Sequence, residues 1–166
     1  MGKKHLNSVL LILLSLLIFA ACKKSSKEVM PSPAPAFATF HFNMDSLSYT
    51  GSKDADELKG EIKITNDAKQ ASQKSDTVFY FKRSIISMPA SWTNSICDQS
   101  HCYDTETDYA EFDVKAGKES AILCHFYPVD STGKGLAGTA KVEITINRIG
   151  APSDLAKKIY FTASAQ

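Results

Sequence analysis

Residues 141–147 read KVEITIN, with apolar side chains at Val142, Ile144 and Ile146 and polar side chains between them. Successive side chains of a strand point to opposite faces, so this alternation predicts a strand with one buried face. The same period of two, or a short continuous apolar run, recurs at 40–44, 58–65, 78–81, 110–115, 121–127 and 159–161. The sequence therefore predicts about seven strands.

The segments between these runs are rich in turn-forming residues, and none shows an apolar period of 3.6 residues. Short helical turns are expected only near 54–57 and 153–157. The chain has 166 residues, of which 43% are hydrophobic, enough for one core. We therefore predict an all-β fold, a single antiparallel immunoglobulin-like sandwich of about seven strands over residues 37–166.

A series of short motifs between residues 55 and 164 resembles a known class of domain. The motifs are Glu61-Ile-Lys-Ile-Thr-Asn66, Pro89-Ala-Ser-Trp92, Cys97-Asp98, Cys102-Tyr103, Phe112, Gly117, His125-Phe-Tyr-Pro128 and Gly133. Together they are similar to the immunoglobulin-like sandwich modules of the ASPM–SPD-2–hydin and CARDB types, found in secreted and lipid-anchored bacterial proteins. Members share no common assigned activity, so the resemblance implies a fold rather than a function.

The N-terminus has the layout of an export signal. Basic side chains at residues 3–5 precede an apolar run at 9–21, which is shorter than the roughly 20 residues of a spanning helix. The run ends Phe19-Ala-Ala-Cys22, which resembles the lipobox of bacterial lipoproteins. The resemblance implies removal of residues 1–21, thioether lipidation of Cys22 and acylation of its amine by a fatty acid such as palmitate. An ordinary secretory signal cut near Ala21 is the alternative.

Residues 22–36 are expected to form the lipidated cysteine and a proline-rich tether. Prolines at 31, 33 and 35 favour extended polyproline II, which rises about 3.1 Å per residue. The anchor would attach the protein to a membrane of the bacterial cell envelope. We expect the outer membrane rather than the inner, with the periplasmic or external face left open.

The net charge of the predicted domain argues against nucleic acid as a partner. The whole chain has 19 Lys and Arg against 18 Asp and Glu, whereas residues 37–166 have 14 against 17, a net charge of −3. A mildly acidic domain lacks the basic surface that binds phosphate backbones. We therefore expect no nucleic-acid partner.

Three cysteines remain after Cys22. Because export leads to an oxidising compartment, Cys97 and Cys102, five residues apart in a polar loop, are predicted to form a disulfide. Cys124 lies in an apolar run and is expected to pack as a small hydrophobic residue. Sequence alone leaves the other two pairings open.

The same loop allows a metal-binding alternative. Cys97, His101 and Cys102, with Cys124 or His125 as a further ligand, are of the types that bind Zn²⁺ or Cu⁺. The Cys-x₄-Cys spacing, however, has no second matched pair after it. We therefore predict no metal or cofactor and keep an exported Zn or Cu binding protein as the second reading.

The stretch between Arg83 and Lys115 contains six acids and no Lys or Arg. An exposed loop of this kind suits display of a contact surface. The candidate interaction residues are Trp92, Asp98, His101, Tyr103, Asp104, Glu106 and Asp108. Trp92 has two readings, an exposed recognition residue or a plug at one end of the sandwich.

Sequence motifs of catalysis are missing: there is no Gly-x-Ser-x-Gly, no His-Glu-x-x-His and no glycine-rich phosphate loop. We therefore predict a non-enzymatic interaction or structural module of the cell envelope. Its expected partners are the membrane, through the lipid anchor, and a protein or glycan of the envelope.

Overall fold

The computed structural model describes residues 36–166, which form two packed β-sheets. The nine strands are β1 (Phe40–Phe42), β2 (Ser46–Gly51), β3 (Leu58–Asn66), β4 (Val78–Ser87), β5 (Thr93–Cys97), β6 (Tyr109–Asp113), β7 (Glu119–Tyr127), β8 (Gly138–Arg148) and β9 (Lys157–Ala165). Short 3-10 helices occupy Lys74–Asp76 and Ser153–Leu155. The signal peptide, Cys22 and nearly all of the tether, predicted from the sequence, lie outside the described residues.

One sheet has four strands in the order β1-β3-β7-β5, and the other has five in the order β2-β9-β8-β4-β6. This confirms the all-β, two-sheet class. The predicted strand number was wrong, because there are nine strands rather than about seven. The antiparallel prediction was incomplete as well, since β2 runs parallel to β9 from Ser46 opposite Tyr160 to Gly51 opposite Ala165.

The two strands that the sequence did not predict lie at sheet edges and lack a strong apolar alternation. β5 reads TNSIC and buries the polar side chains of Asn94 and Ser95. β2 reads SLSYTG, and its Leu47 and Tyr49 pack across Gly60 of β3. A Cβ at residue 60 would lie 2.6 Å from the Tyr49 ring, so this close approach requires glycine.

The chain changes sheets immediately after β1. The backbone N–H of Asn43 donates to the Lys63 carbonyl (3.1 Å), and its side-chain oxygen accepts from the Lys63 N–H (2.8 Å). Asn43 thus completes the pairing along β3 with its own side chain. Two residues later the Asp45 carbonyl accepts from Tyr160 N–H of the other sheet (2.9 Å). This crossing closes one side of the sandwich.

Between the sheets, alternate residues of both layers form a continuous apolar core. Its fully buried members include Ile62, Phe79, Phe81, Ile122, Phe126, Val142, Ile144, Ile146, Ile159 and Phe161. The side chains at 142, 144 and 146 that predicted the fold all lie in it. Burial of this aliphatic and aromatic surface supplies the main favourable free energy of folding.

Arg148, at the end of β8, is buried to 1% exposure. Its Nε donates to the Ala38 carbonyl (2.6 Å) and one terminal nitrogen donates to the carbonyls of Ser75 (3.2 Å) and Asp76 (2.9 Å). The other donates to the Thr39 carbonyl (2.9 Å) and the Asn66 side chain. All five guanidinium N–H groups therefore have an acceptor.

The guanidinium of Arg148 also lies over the Phe79 ring, 4.5 Å from its centroid. Burial lowers the pKa of this arginine from its ordinary value. The hydrogen bonds compensate for the lost hydration and fix the start of the domain, the end of β3 and the turn before β4 around one point.

Of the two expected helical turns, the second is present as the 3-10 helix at Ser153–Leu155, whereas residues 54–57 form no helix. Across residues 36–166 no helix is long and apolar enough to span a membrane.

Replacing Arg148 with Met should lower the free energy of unfolding by about 3 kcal/mol, because several buried carbonyls lose their donor. Urea denaturation of the purified protein measures the change. Lys141→Met on the same strand is the control and should change stability by less than about 0.5 kcal/mol. Equal stability of the two variants would contradict the role assigned to Arg148.

Candidate functional site

Residues 98–108, which we call the acidic loop, cross from β5 in one sheet to β6 in the other. The loop begins with the predicted disulfide between Cys97 and Cys102, which is confirmed. The two residues also form an isolated antiparallel bridge. Closing so small a ring stabilises the fold by about 2 kcal/mol on the chain-entropy model.

Asp98 organises the tip of the acidic loop. Its Oδ1 accepts the N–H groups of Ser100 (2.6 Å) and His101 (2.9 Å), and its Oδ2 accepts the Tyr103 hydroxyl (2.7 Å). Burial, and then Asp98, raises the pKa of Tyr103 from its ordinary value. The Tyr103 ring packs against buried Phe81 with centroids 5.0 Å apart. Asp98 and Tyr103 therefore hold the loop to the core.

Asp104 performs a similar task in the second half of the loop. Its Oδ1 accepts the Thr107 hydroxyl (2.7 Å) and the Glu106 N–H (3.1 Å), an arrangement typical of an Asx turn. These hydrogen bonds, that from Thr107 first, lower the pKa of the Asp104 carboxyl. The carboxyl of Asp104 is thus occupied within the loop, whereas Glu106 is exposed.

Arg83 holds the acidic loop in place through hydrogen bonds from its guanidinium. Its guanidinium is buried and donates from Nε to Asp108 Oδ1 (2.9 Å), and also to the carbonyls of Asn94 (2.6 Å) and Thr105 (2.6 Å). The Asp108 side chain is 70% exposed. Arg83 therefore joins β4, β5 and the acidic loop, and it compensates the charge of one predicted interaction residue.

Trp92 is buried to 4% exposure, which fits the plug reading. It follows a tight turn in which its backbone N–H donates to the Pro89 carbonyl (3.2 Å) and Ser91 has φ 72°, in the left-handed region. Its ring lies beside Gly138 at the start of β8. In this position Trp92 covers one end of the core, away from solvent.

The exposed aromatic residue of this region is Tyr109, which is not among the predicted interaction residues. Tyr109 is 53% exposed, and its ring is supported by Tyr80 with centroids 5.4 Å apart. Glu111 and Asp113 are on the same outward side of β6. The signal was present in the sequence, because Ala110, Phe112 and Val114 alternate inward and so direct residues 109, 111 and 113 outward.

A second polar group is on the outer face of the four-stranded sheet. Strand register places Ser95 opposite His125, and Cys97 is two residues along on the same face. The Ser95 and Tyr127 hydroxyls are 3.2 Å apart. His125 Nδ1 is 2.6 Å from Glu57 Oε1. The structure thus brings His125, rather than His101, to the disulfide.

The residues of the predicted metal site have different surroundings. His101 is exposed, and its ring packs against Tyr103 with centroids 4.9 Å apart. Cys97 and Cys102 are joined to each other, so neither is a free thiolate. The group within ligand distance of one another is Cys97, Cys102 and His125. In the metal-binding alternative predicted from the sequence, His125 is only a further ligand, after His101.

Cys124 is the free cysteine of residues 36–166 and packs in the core as predicted. Its Sγ accepts from the Asn94 side-chain amide (3.0 Å). Burial raises the pKa of this thiol well above its ordinary value, so it stays protonated and inert at neutral pH.

Comparison with solved structures finds distant likenesses. The N-terminal domain of PorA has 15% identity and a TM-score of 0.49 over 73% of this chain and 87% of that one. The ASH/PapD-like domain of human CEP192 has 9% identity and a TM-score of 0.44 over 86% and 95%. The CupB6 tip adhesin from Pseudomonas aeruginosa has 10% identity and a TM-score of 0.49 over 82% and 44%.

These identities and scores are too low to carry a function to this chain. No protein-family model matches the sequence, and no curated protein matches it.

Replacing Arg83 with Met should lower the free energy of unfolding by about 2 kcal/mol, because buried carbonyls of Asn94 and Thr105 lose their donor. Amide hydrogen exchange of residues 104–108 should quicken more than that of β8. The neighbouring exposed Lys82→Met is the matched control and should leave both measurements unchanged. Equal protection of residues 104–108 in the two variants would contradict this role of Arg83.

Proposed function

We propose that this chain is a lipid-anchored protein of the bacterial cell envelope whose sandwich domain is a non-enzymatic interaction module. The observation that carries the proposal is the half-exposed ring of Tyr109, held by Tyr80 at a sheet edge among acidic side chains. The resemblance of residues 19–22 to a lipobox supports the anchor, and we place it in the outer membrane.

The proposed contact surface, called the β6 surface, consists of Tyr109, Glu111 and Asp113 of β6 with Asp104 and Glu106 of the acidic loop. Tyrosine offers a large contact area with few rotatable bonds and is enriched in protein interfaces. Support from Tyr80 reduces the entropy that the Tyr109 ring loses on binding. The ring is therefore suited to be the energetic centre of a contact.

The charge around Tyr109 favours a protein partner with a basic surface. The acids at residues 104, 106, 111 and 113 occur in a stretch of chain without Lys or Arg. Lys74 pairs with Glu111 across 3.3 Å and Lys82 lies opposite Tyr109 in the strand register, so the acids of this surface outnumber the lysines beside it. Complementary charge raises association rate and selects among partners.

Four of the other five sequence-predicted loop residues support the surface in this proposal, and the exposed His101 lies outside it. Asp98 and Tyr103 hold the loop to the core, and Asp108 is paired with Arg83. Trp92 keeps its place as a plug. These four residues shape the β6 surface without touching the partner.

Site-specific photocrosslinking tests the β6 surface. A photoreactive amino acid at position 109 of the full chain, expressed in its native envelope, should give a discrete crosslinked species. The same amino acid at Lys59, exposed on β3 of the other sheet, is the matched control and should give none. Mass spectrometry identifies the crosslinked partner.

A charge-reversal variant should then show whether the crosslinked partner binds the β6 surface or only lies near position 109. With the photoreactive group retained at position 109, Glu106→Lys should reduce the yield several-fold, because it places a positive charge against a basic partner. Lys59→Glu should leave the yield unchanged. Equal crosslinking from positions 109 and 59, or no effect of Glu106→Lys, would contradict the β6 surface.

The anchor has an independent test. In cells fed an alkynyl palmitate, the wild-type chain should become labelled, and Cys22→Ala should not. Cys124→Ser is the control and should keep the label, since Cys124 is a core residue. A labelled Cys22→Ala protein, or an unlabelled wild-type protein, would contradict lipidation at this position.

A further inference from the structure

The disulfide lies beside a histidine that no part of the proposed interaction function uses. The sulfur atoms of Cys97 and Cys102 and a ring nitrogen of His125 are all within 4.8 Å of one another. Two cysteines and one histidine are the ligand types that zinc prefers in proteins. The group combines two separate strands, because Cys97 ends β5 and His125 belongs to β7.

The imidazole of His125 is held by a carboxylate through one ring nitrogen, as metal-ligating imidazoles commonly are. Nδ1 lies 2.6 Å from the carboxylate of Glu57, while Nε2 is buried with no hydrogen-bond partner among residues 36–166. Metal-ligating histidines almost always donate their second N–H to a carboxylate, a carbonyl or water, which fixes the tautomer and leaves the other lone pair free. Glu57 supplies that contact here.

A buried Nε2 without a partner costs free energy, and such groups are rare in folded proteins. In the disulfide form neither sulfur carries a proton that it could donate to the imidazole. In the dithiol form the same sulfurs could share a cation with it. The orphaned nitrogen therefore points to a second chemical state of this group.

We infer that Cys97, Cys102 and His125 form a zinc site that the disulfide closes and its reduction opens. A dithiol of the cell envelope gives two electrons and two protons to the Cys97–Cys102 bond, becomes a disulfide itself, and leaves two thiols. Zn²⁺ then displaces both thiol protons, forming two zinc–sulfur bonds and one zinc–nitrogen bond to His125. Water takes the remaining position.

Charge and access both suit this ion. Two thiolates neutralise Zn²⁺, and the imidazole adds no charge, so the occupied group is neutral within a mostly buried setting. Cys97 is buried but Cys102 is exposed, so a reductant and a metal ion can approach from the side of Cys102. Cys124, on the opposite face of β7, takes no part.

Zinc titration of the purified full chain tests the inference, with Zn²⁺ itself as the probe and a phosphine as the reductant. The reduced protein should bind one Zn²⁺ per chain, and the oxidised protein should bind none. Far-UV circular dichroism checks that the reduced protein keeps its fold. Substituting Co²⁺ should give thiolate-to-metal charge-transfer absorption in the reduced protein only.

Two histidine variants form a matched pair. His125→Ala should lose the bound Zn²⁺, whereas His101→Ala should bind like the wild type, because His101 lies in the same loop as Cys102 but packs against Tyr103. Glu57→Ala should weaken binding by about tenfold or more, since it removes the group that orients the imidazole. His125→Gln replaces His125→Ala if the latter does not fold.

A nitrogen NMR measurement on the wild type needs no variant. Zinc should shift the Nε2 resonance of His125 in the reduced protein and leave His101 unchanged. Failure of the reduced chain to bind Zn²⁺, loss of its fold on reduction, or binding that survives His125→Ala would overturn the inference. Loss of zinc in His101→Ala alone would assign the site to the loop instead.

Discussion

The burial of one charged side chain, Arg148, is the constraint on which the rest of the domain depends. A guanidinium removed from water is tolerated only where each of its donors meets an acceptor, and here all five do. Those acceptors come from the segment before β1, the end of β3 and the turn before β4. One side chain therefore positions segments that have few strand contacts of their own, and the aliphatic core positions the strands.

Arg83 has the corresponding role on the neighbouring strand β4. It binds carbonyls of β5 and of the acidic loop, and so fixes the crossing from β5 to β6 between the sheets. Arg83 and hydrogen bonds within the loop together engage three of the loop's four carboxylates. Asp98 and Asp104 accept hydrogen bonds inside the loop, and Asp108 faces Arg83. What the loop presents to a partner is therefore narrower than its composition indicates.

The regular part of the fold was readable because burial alternates with a period of two. That period, together with continuous apolar runs in β4 and β7, predicted all strands except β2 and β5. Side chains of β2 pack against a glycine, and β5 is held by a buried amide, so neither has a marked apolar face. The disulfide could be predicted because export leads to an oxidising compartment and because the two cysteines are close together in the sequence. The position of His125 could not be predicted, because its proximity to Cys97 depends on the register of β5 against β7. A local sequence pattern predicts a strand, but the register of that strand also depends on which strand pairs with it.

The short first strand gives the domain a directional weakness under load. A pull transmitted through residue 36 reaches β1, which pairs with β3 over only three residues, and the two carbonyls held by Arg148. Beyond it, β2 is joined to β9 over six residues and lies in the other sheet. Tension on residue 36 would therefore act first on β1, on its core residue Phe40 and on two of the Arg148 hydrogen bonds. The domain therefore cannot lengthen at this end without removing Phe40 from the core.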